Sequence, residues 1–179
     1  MYSKEVIIMS KFGEFFKDLP KGKRESSEKY LKNVLQCYTN FQKALSKAEE
    51  KVNKYSDMVC NHNHDDADIY IEYVERDMSV LDNQLLELHK IIKTNPITLH
   101  REDHLDDFND LYESIYTTLR LNENILKISS MKNQFENAKK IEKEYWNKRC
   151  KEEIKIALYY EVQDLKEEEN HEHKFCIFG

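Results

Sequence analysis

The chain has 179 residues, 35% of them charged and 40% hydrophobic, with three Gly and two Pro. This length suits one domain of ordinary size, and so few turn residues exclude a sheet fold in favour of an all-α one. A net charge of −6 argues against general affinity for nucleic acid, yet it leaves room for a local basic patch. No run of about 18 apolar residues is present, so no segment reads as membrane-spanning. Val6 to Met9 is too short for a secretory core, and no signal peptide is read there. Cys37, Cys60, Cys150 and Cys176 are widely spaced without a CxxC pair, which suits reduced thiols in a cytosolic protein.

Residues 1–22 stand apart from the rest. Val6, Met9, Phe12, Phe15, Phe16 and Leu19 lie at helical spacing, with Lys11, Glu14, Lys17 and Asp18 between them. This predicts a short amphipathic helix with an aromatic face, ended by Pro20 and Gly22. An exposed segment of that kind can insert into a lipid interface. Ser26 and Ser27 are candidate caps for a second helix that runs to about Cys60.

A heptad register dominates the chain from Leu31 to Ile92. Apolar residues fall at Leu31, Val34, Tyr38, Phe41, Leu45, Ala48, Val52, Tyr55 and Val59. Asn61 to Asp66 is a polar break, with Asp65 or Asp66 expected as the next N-cap. A second run reads Ile71, Val74, Met78, Leu81, Leu85, Leu88 and Ile92, on a helix expected over 67–94. Alternating steps of three and four place each run on one stripe, the seam of a coiled coil or bundle. Asn95-Pro96 stops or kinks this helix, because Pro removes a donor and disfavours α geometry just before it.

Asp103 opens a third stretch. Leu105, Phe108, Tyr112, Ile115 and Leu119 keep the three-four spacing, which slips between Leu121 and Ile128. It resumes at Met131, Phe135, Ala138, Ile141 and Tyr145. A turn near Lys139–Lys143 is compatible with the pattern, although no Gly or Pro marks it. Ile154, Leu158, Val162 and Leu165 carry a further stripe, and residues 167–179 read as an acidic, solvated tail.

Cys60, His62, His64, Asp65 and Asp66 are all potential metal ligands. A zinc site needs about four ligands, usually as two separated pairs. His171, His173 and Cys176 would supply the second pair only if the tail folded back. The cluster is read as a polar helix end, and neither a metal nor a cofactor is assigned. There is no Gly-rich phosphate loop, no HExxH and no nucleophile elbow, so the protein reads as non-enzymatic. Cys176-Ile177-Phe178-Gly179 has the outline of a prenylation box, but Gly is not a usual last residue.

Residues 132–155 are rich in base: Lys132, Lys139, Lys140, Lys143, Lys148, Arg149, Lys151 and Lys155. The acids there are Glu136, Glu142, Glu144, Glu152 and Glu153, and the acidic surplus lies elsewhere. An acidic bundle can therefore still present a cationic patch to anionic lipid, each basic residue contributing about 1 kcal/mol.

The segment Leu105-Asp106-Asp107-Phe108-Asn109-Asp110-Leu111-Tyr112 runs on to Lys132-Asn133-Gln134-Phe135-Glu136-Asn137-Ala138-Lys139-Lys140. It resembles the second helix of the BAR domain of sorting nexins, where a leucine-rich stretch leads to an aromatic, an Ala and a basic tip. Residues 26–60 similarly resemble that domain's first helix, and Phe12 to Leu19 its leading amphipathic helix. The resemblance implies a third helix beginning near Lys140, shorter here than in the family, and a module read without the phosphoinositide-binding PX domain. It also implies a curved dimer, of the chain with itself or with a related helical protein, on anionic endosomal membranes. Lys139, Lys140, Lys143, Lys148 and Arg149 would lie near the lipid-contacting tip.

The expected architecture is thus all-α: an elongated antiparallel three-helix coiled-coil bundle, BAR-like, over 23–166. It is led by the amphipathic segment 1–22 and followed by the tail 167–179. Phe12, Phe15 and Phe16 join the five basic residues as expected membrane contacts. Leu31, Tyr38, Phe41, Leu45, Val52, Leu81, Leu85 and Leu88 form the expected core or dimer seam. The expected setting is cytoplasmic, peripheral on endosomal membranes, with anionic lipids as partners and no nucleic acid. The competing expectation is a soluble coiled-coil protein that binds another helical partner without touching membrane.

Overall fold

The computed structural model describes residues 21–94 and 113–176, with the side chains of all these except 23 and 167–176. The described residues are helical apart from short turns. Helix α1 is Lys21–Cys60, α2 is His64–Lys93 and α3 is Leu121–Cys176, with a short helical stretch over 113–118 before α3. The chain divides into two compact units, Met1–Phe135 and Glu136–Gly179. The expected amphipathic helix with Phe12, Phe15 and Phe16, the Asn95-Pro96 break, and Leu105, Phe108 and Tyr112 all lie outside the described residues.

In the first unit the heptad runs become a core. Leu31, Val34, Phe41, Leu45, Ala48, Val52, Tyr55 and Val59 of α1 are buried, as are Val74, Met78, Leu81, Leu88 and Ile92 of α2. Tyr38, Ile71 and Leu85 are half-buried, at the margins of the stripe. The two helices run antiparallel. The Tyr30 hydroxyl donates to the Ile92 carbonyl at 2.8 Å near the open end, and Lys47 pairs with Asp77 at 3.3 Å nearer the turn. Residues 113–135 add Ile115, Leu119, Leu121, Ile128, Met131 and Phe135 to the core. Phe135 meets Tyr55 edge-on at 5.4 Å. At the surface, Lys127 pairs with Glu49 at 2.7 Å and Lys132 with Asp82 at 2.8 Å.

Helix boundaries depart from the sequence expectations for local reasons. Ser26 and Ser27 do not cap α1, which already starts at Lys21 and includes Gly22. The Ser26 hydroxyl donates instead to the Gly22 carbonyl one turn back, at 3.0 Å, a bond available to Ser inside a helix. The N-cap of α2 is Asn63, not Asp65 or Asp66. Those two aspartates occupy the first turn, where they complement the helix dipole, and Asn63 Nδ2 donates to Asp66 at 2.7 Å. Between the helices His62 takes a left-handed φ of 59°. The Asn63 amide reaches back to the Met58 carbonyl at 2.9 Å and the His62 amide to Val59 at 3.2 Å. These two bonds close α1 in a Schellman motif, with His where Gly is usual.

Two departures affect the third stretch. α3 passes through residues 139–143 without a turn, so a third helix does not begin near Lys140. The expected seam position Ile141 is 50% exposed, and Glu142 is buried in its place. The step from Ala138 is four residues rather than three, which turns the acid inward and the isoleucine outward.

Candidate functional site: an exposed face of the third helix

The unit Glu136–Gly179 contains the basic residues singled out in the sequence, except Lys132, which lies in the first unit. Around Glu142 a relay of i,i+3 and i,i+4 neighbours forms. Trp146 Nε1 donates to Glu142 Oε1 at 2.7 Å, and Arg149 lies over the Trp146 ring at 5.1 Å. Arg149 Nε in turn donates to Glu153 at 3.0 Å. The Glu153 carboxylate, then the Tyr145 hydroxyl, hold the Arg149 guanidinium more firmly protonated than usual. Tyr145 packs edge-on to Trp146 at 5.4 Å. This relay was not foreseen from the sequence. Its signal was present in the four-residue steps from Glu142 to Trp146 and from Arg149 to Glu153.

The proposed lipid-contacting residues do not share one face. Lys139 is half-buried and pairs with Glu136 at 3.7 Å, and Arg149 is engaged with Trp146 and Glu153. Lys140, Lys143 and Lys148 are exposed. At about 100° per residue these three fall on one side of α3, together with Lys151 and Lys155, while Lys139 and Arg149 point elsewhere.

Beyond Trp146 the helix changes character. Every residue from Asn147 to Lys166 is exposed. Seven of them are large and apolar: Ile154, Ile156, Leu158, Tyr159, Tyr160, Val162 and Leu165, each between 49% and 63% exposed. Ile154, Leu158, Val162 and Leu165 occur at i, i+4, i+8 and i+11, within an arc of about 80° on the helical wheel. A stripe of this kind, bordered by charge, is what helix-to-helix docking uses.

The other residues singled out in the sequence have these places. Leu31, Phe41, Leu45, Val52, Leu81 and Leu88 lie in the core of the first unit, with Tyr38 and Leu85 at its edge. His62 and His64 rings stand 5.8 Å apart beside the exposed Cys60, with His64 buried. Among the described residues no group of three or more His, Cys, Asp or Glu is arranged to hold a metal ion. His171, His173 and Cys176 lie outside the described side chains. No described helix is long and apolar enough to cross a membrane.

No protein-family model, curated protein or solved structure matches the chain.

Proposed function

We propose that this protein is a non-enzymatic helical assembly module, BAR-like in plan, that dimerises and meets curved anionic membrane on the endosomal pathway. In this reading the helices form an elongated antiparallel three-helix coiled coil. The lysines of residues 139–155 face lipid headgroups, with Phe12, Phe15 and Phe16 as an inserted anchor. The observation that carries the proposal is the continuously exposed stretch from Asn147 to Lys166 with its apolar stripe. An isolated helix gains little from such a stripe, and a face of that size marks an interaction surface. Lys140, Lys143, Lys148, Lys151 and Lys155 on the same side suit a surface that is anionic.

The test is co-sedimentation of the full chain with phosphatidylserine and phosphoinositide vesicles at low salt. Reversing Lys139, Lys140, Lys143 and Lys148 to Glu removes about 4 kcal/mol of headgroup attraction, roughly a thousandfold in affinity, while helicity stays intact. A wild-type chain that leaves such vesicles unbound ends the membrane reading. The second reading, a soluble coiled-coil partner protein without membrane contact, is favoured by one observation. Lys139 and Arg149 already have carboxylate partners on their own helix.

A further inference from the structure

The outer side of the α1–α2 hairpin carries a shorter exposed apolar row, and charge is sorted across it. On α2, Ile69, Tyr73 and Val80 are between 46% and 68% exposed. With Arg76 they share about 60° of the helical wheel, along roughly 16 Å of helix. Towards α1 the row meets a line of cations. Lys51 lies over the Tyr70 and Tyr73 rings at 4.9 and 5.9 Å, Lys54 over Tyr70 at 4.9 Å, and Arg76 over Tyr73 at 5.4 Å. Lys47, one turn before Lys51, extends the line. The acids on this side are engaged or set back. Asp77 is buried with Lys47 and Arg76, and Asp66 accepts from Asn63 Nδ2. Glu50 lies on the far side of the lysines from α2. Among the described residues Lys51 and Lys54 have no carboxylate within ion-pair distance. On the opposite border of the row, away from α1, Asp65, Asp68 and Glu72 are exposed.

We infer that this face docks an amphipathic helix of a partner protein. That helix is apolar along one stripe, acidic on the border it turns to α1 and basic on the other. The inference rests on the second reading above, a soluble helical partner, and names the surface and the chemistry that meets it. Two Tyr and an Arg among aliphatic side chains are the residue types that anchor protein interfaces. Their spacing along α2 offers about three turns of contact to a parallel ridge. Charge chooses the class of occupant. An anionic bilayer or a nucleic acid laid against Lys47, Lys51 and Lys54 also lies against Asp65, Asp68 and Glu72. An occupant carrying both signs, one on each border, answers both sides of the row.

The experiment is fluorescence anisotropy of the full chain with a labelled synthetic helix of about three heptads, held below the concentration at which it pairs with itself. The helix has Leu at each a and d, Glu at each e and Lys at each g. Two control helices carry Glu at both e and g, or Lys at both. The split-charge helix is expected to bind at least about tenfold more tightly than either control. Tyr73→Asp with Val80→Asp should weaken it about a hundredfold, with the circular dichroism signal retained, since both side chains are exposed. Lys51→Glu with Lys54→Glu leaves acid on both borders, so this variant should bind the all-Lys control best.

Four results overturn the inference: no binding of the split-charge helix, binding indifferent to Tyr73 and Val80, either control binding the wild type as tightly, or an unchanged preference in the Lys51 and Lys54 variant. Sedimentation equilibrium without peptide tests a second copy as the occupant. A wild-type dimer abolished by Tyr73→Asp with Val80→Asp would assign the face to self-association and overturn the partner. The broader reading fails separately. A split-charge helix bound equally by the Tyr73 and Val80 variant keeps a helical partner and removes this surface. A chain that binds it through Tyr73 and Val80 and also sediments with phosphatidylserine vesicles keeps this surface and ends the membrane-free reading.

Discussion

Two stretches of this chain carry similar apolar stripes and meet different fates. From Leu31 to Val59 the stripe is covered by α2 and residues 113–135, and its central members are fully buried. From Ile154 to Leu165 the same residue types, at nearly the same spacing, are about half exposed. Hydrophobic periodicity therefore states that a face wants a partner, and it does not state whether the partner is in the same chain. The polar residues around each stripe are informative. The buried seam is flanked at the surface by pairs from different helices, such as Lys127–Glu49 and Lys132–Asp82. Along the exposed stretch, i,i+4 neighbours pair on the same helix, as in Arg149–Glu153 and Gln163–Tyr159.

The sharpest way to break this comparison is to place a charge in each stripe. Phe41 and Leu81 are fully buried, so Phe41→Asp or Leu81→Asp leaves an unpaired carboxylate in apolar surroundings. We expect a loss of about 4 kcal/mol or more, enough to unfold much of the population, because domain stabilities run only about 5–15 kcal/mol. Leu158→Asp should change monomer stability by less than about 0.5 kcal/mol. Chemical denaturation at low protein concentration measures both. If Leu158→Asp destabilises the monomer as much as Phe41→Asp, the two stripes are equivalent and the contrast disappears.

Much of the first region was legible because spacing alone decides which side chains share a face. The runs from Leu31 and Ile71 identified the buried residues almost individually. Boundaries were less legible, since Ser26, Asp65 and Asp66 have side chains that suit both a cap and a first turn. The bond from the Ser26 hydroxyl to the Gly22 carbonyl, and that from the Ala67 amide to the Asn63 carbonyl, decide between these roles. Asp77 was not foreseen at all. It sits buried between Val74 and Leu81, paired with Lys47 at 3.3 Å and Arg76 at 3.7 Å. Its place on the stripe reads as a defect until the lysine on the neighbouring helix is known. At Ile141 the three-four rule gave two permissible continuations, and the structure takes the one that buries Glu142 against expectation.

A smaller effect separates the regions by pH. His89 of α2 is half-buried, and its ring lies 2.8 Å from the Tyr116 hydroxyl. Burial, and then the nearby Lys93 charge, lower its pKa below the usual imidazole value. The folded state thus binds this proton less readily than the unfolded chain does. Its contribution is fully present above the unfolded value of about 6.5, and it is lost as pH falls through that value toward the lower folded one. The thermal midpoint should therefore drop on acidification below about pH 6.5, and part of that slope should vanish in His89→Asn. Vesicle binding, if the lysines of α3 carry it, should not share the His89 dependence. An unchanged slope in His89→Asn would mean that this ring is not the group being titrated.

The smallest expected effect lies at the turn that joins α1 to α2. His62 holds φ at 59°, a conformation that costs a residue with a Cβ about 1 kcal/mol and costs Gly almost nothing. Its two partners in the Schellman motif use only backbone atoms, from Asn63 to Met58 and from His62 to Val59, so Gly can make them equally well. Against this, Gly gives the unfolded chain more freedom, and the contact between the His62 and His64 rings is lost. The balance favours His62→Gly by about 0.5 kcal/mol, or a rise of about 1–2 °C in midpoint for a chain of this size. The denaturation slope should stay constant while its midpoint moves up, since the surface exposed on unfolding hardly changes. A fall in midpoint would mean that the His62 side chain holds the turn through contacts stronger than the strain of its backbone.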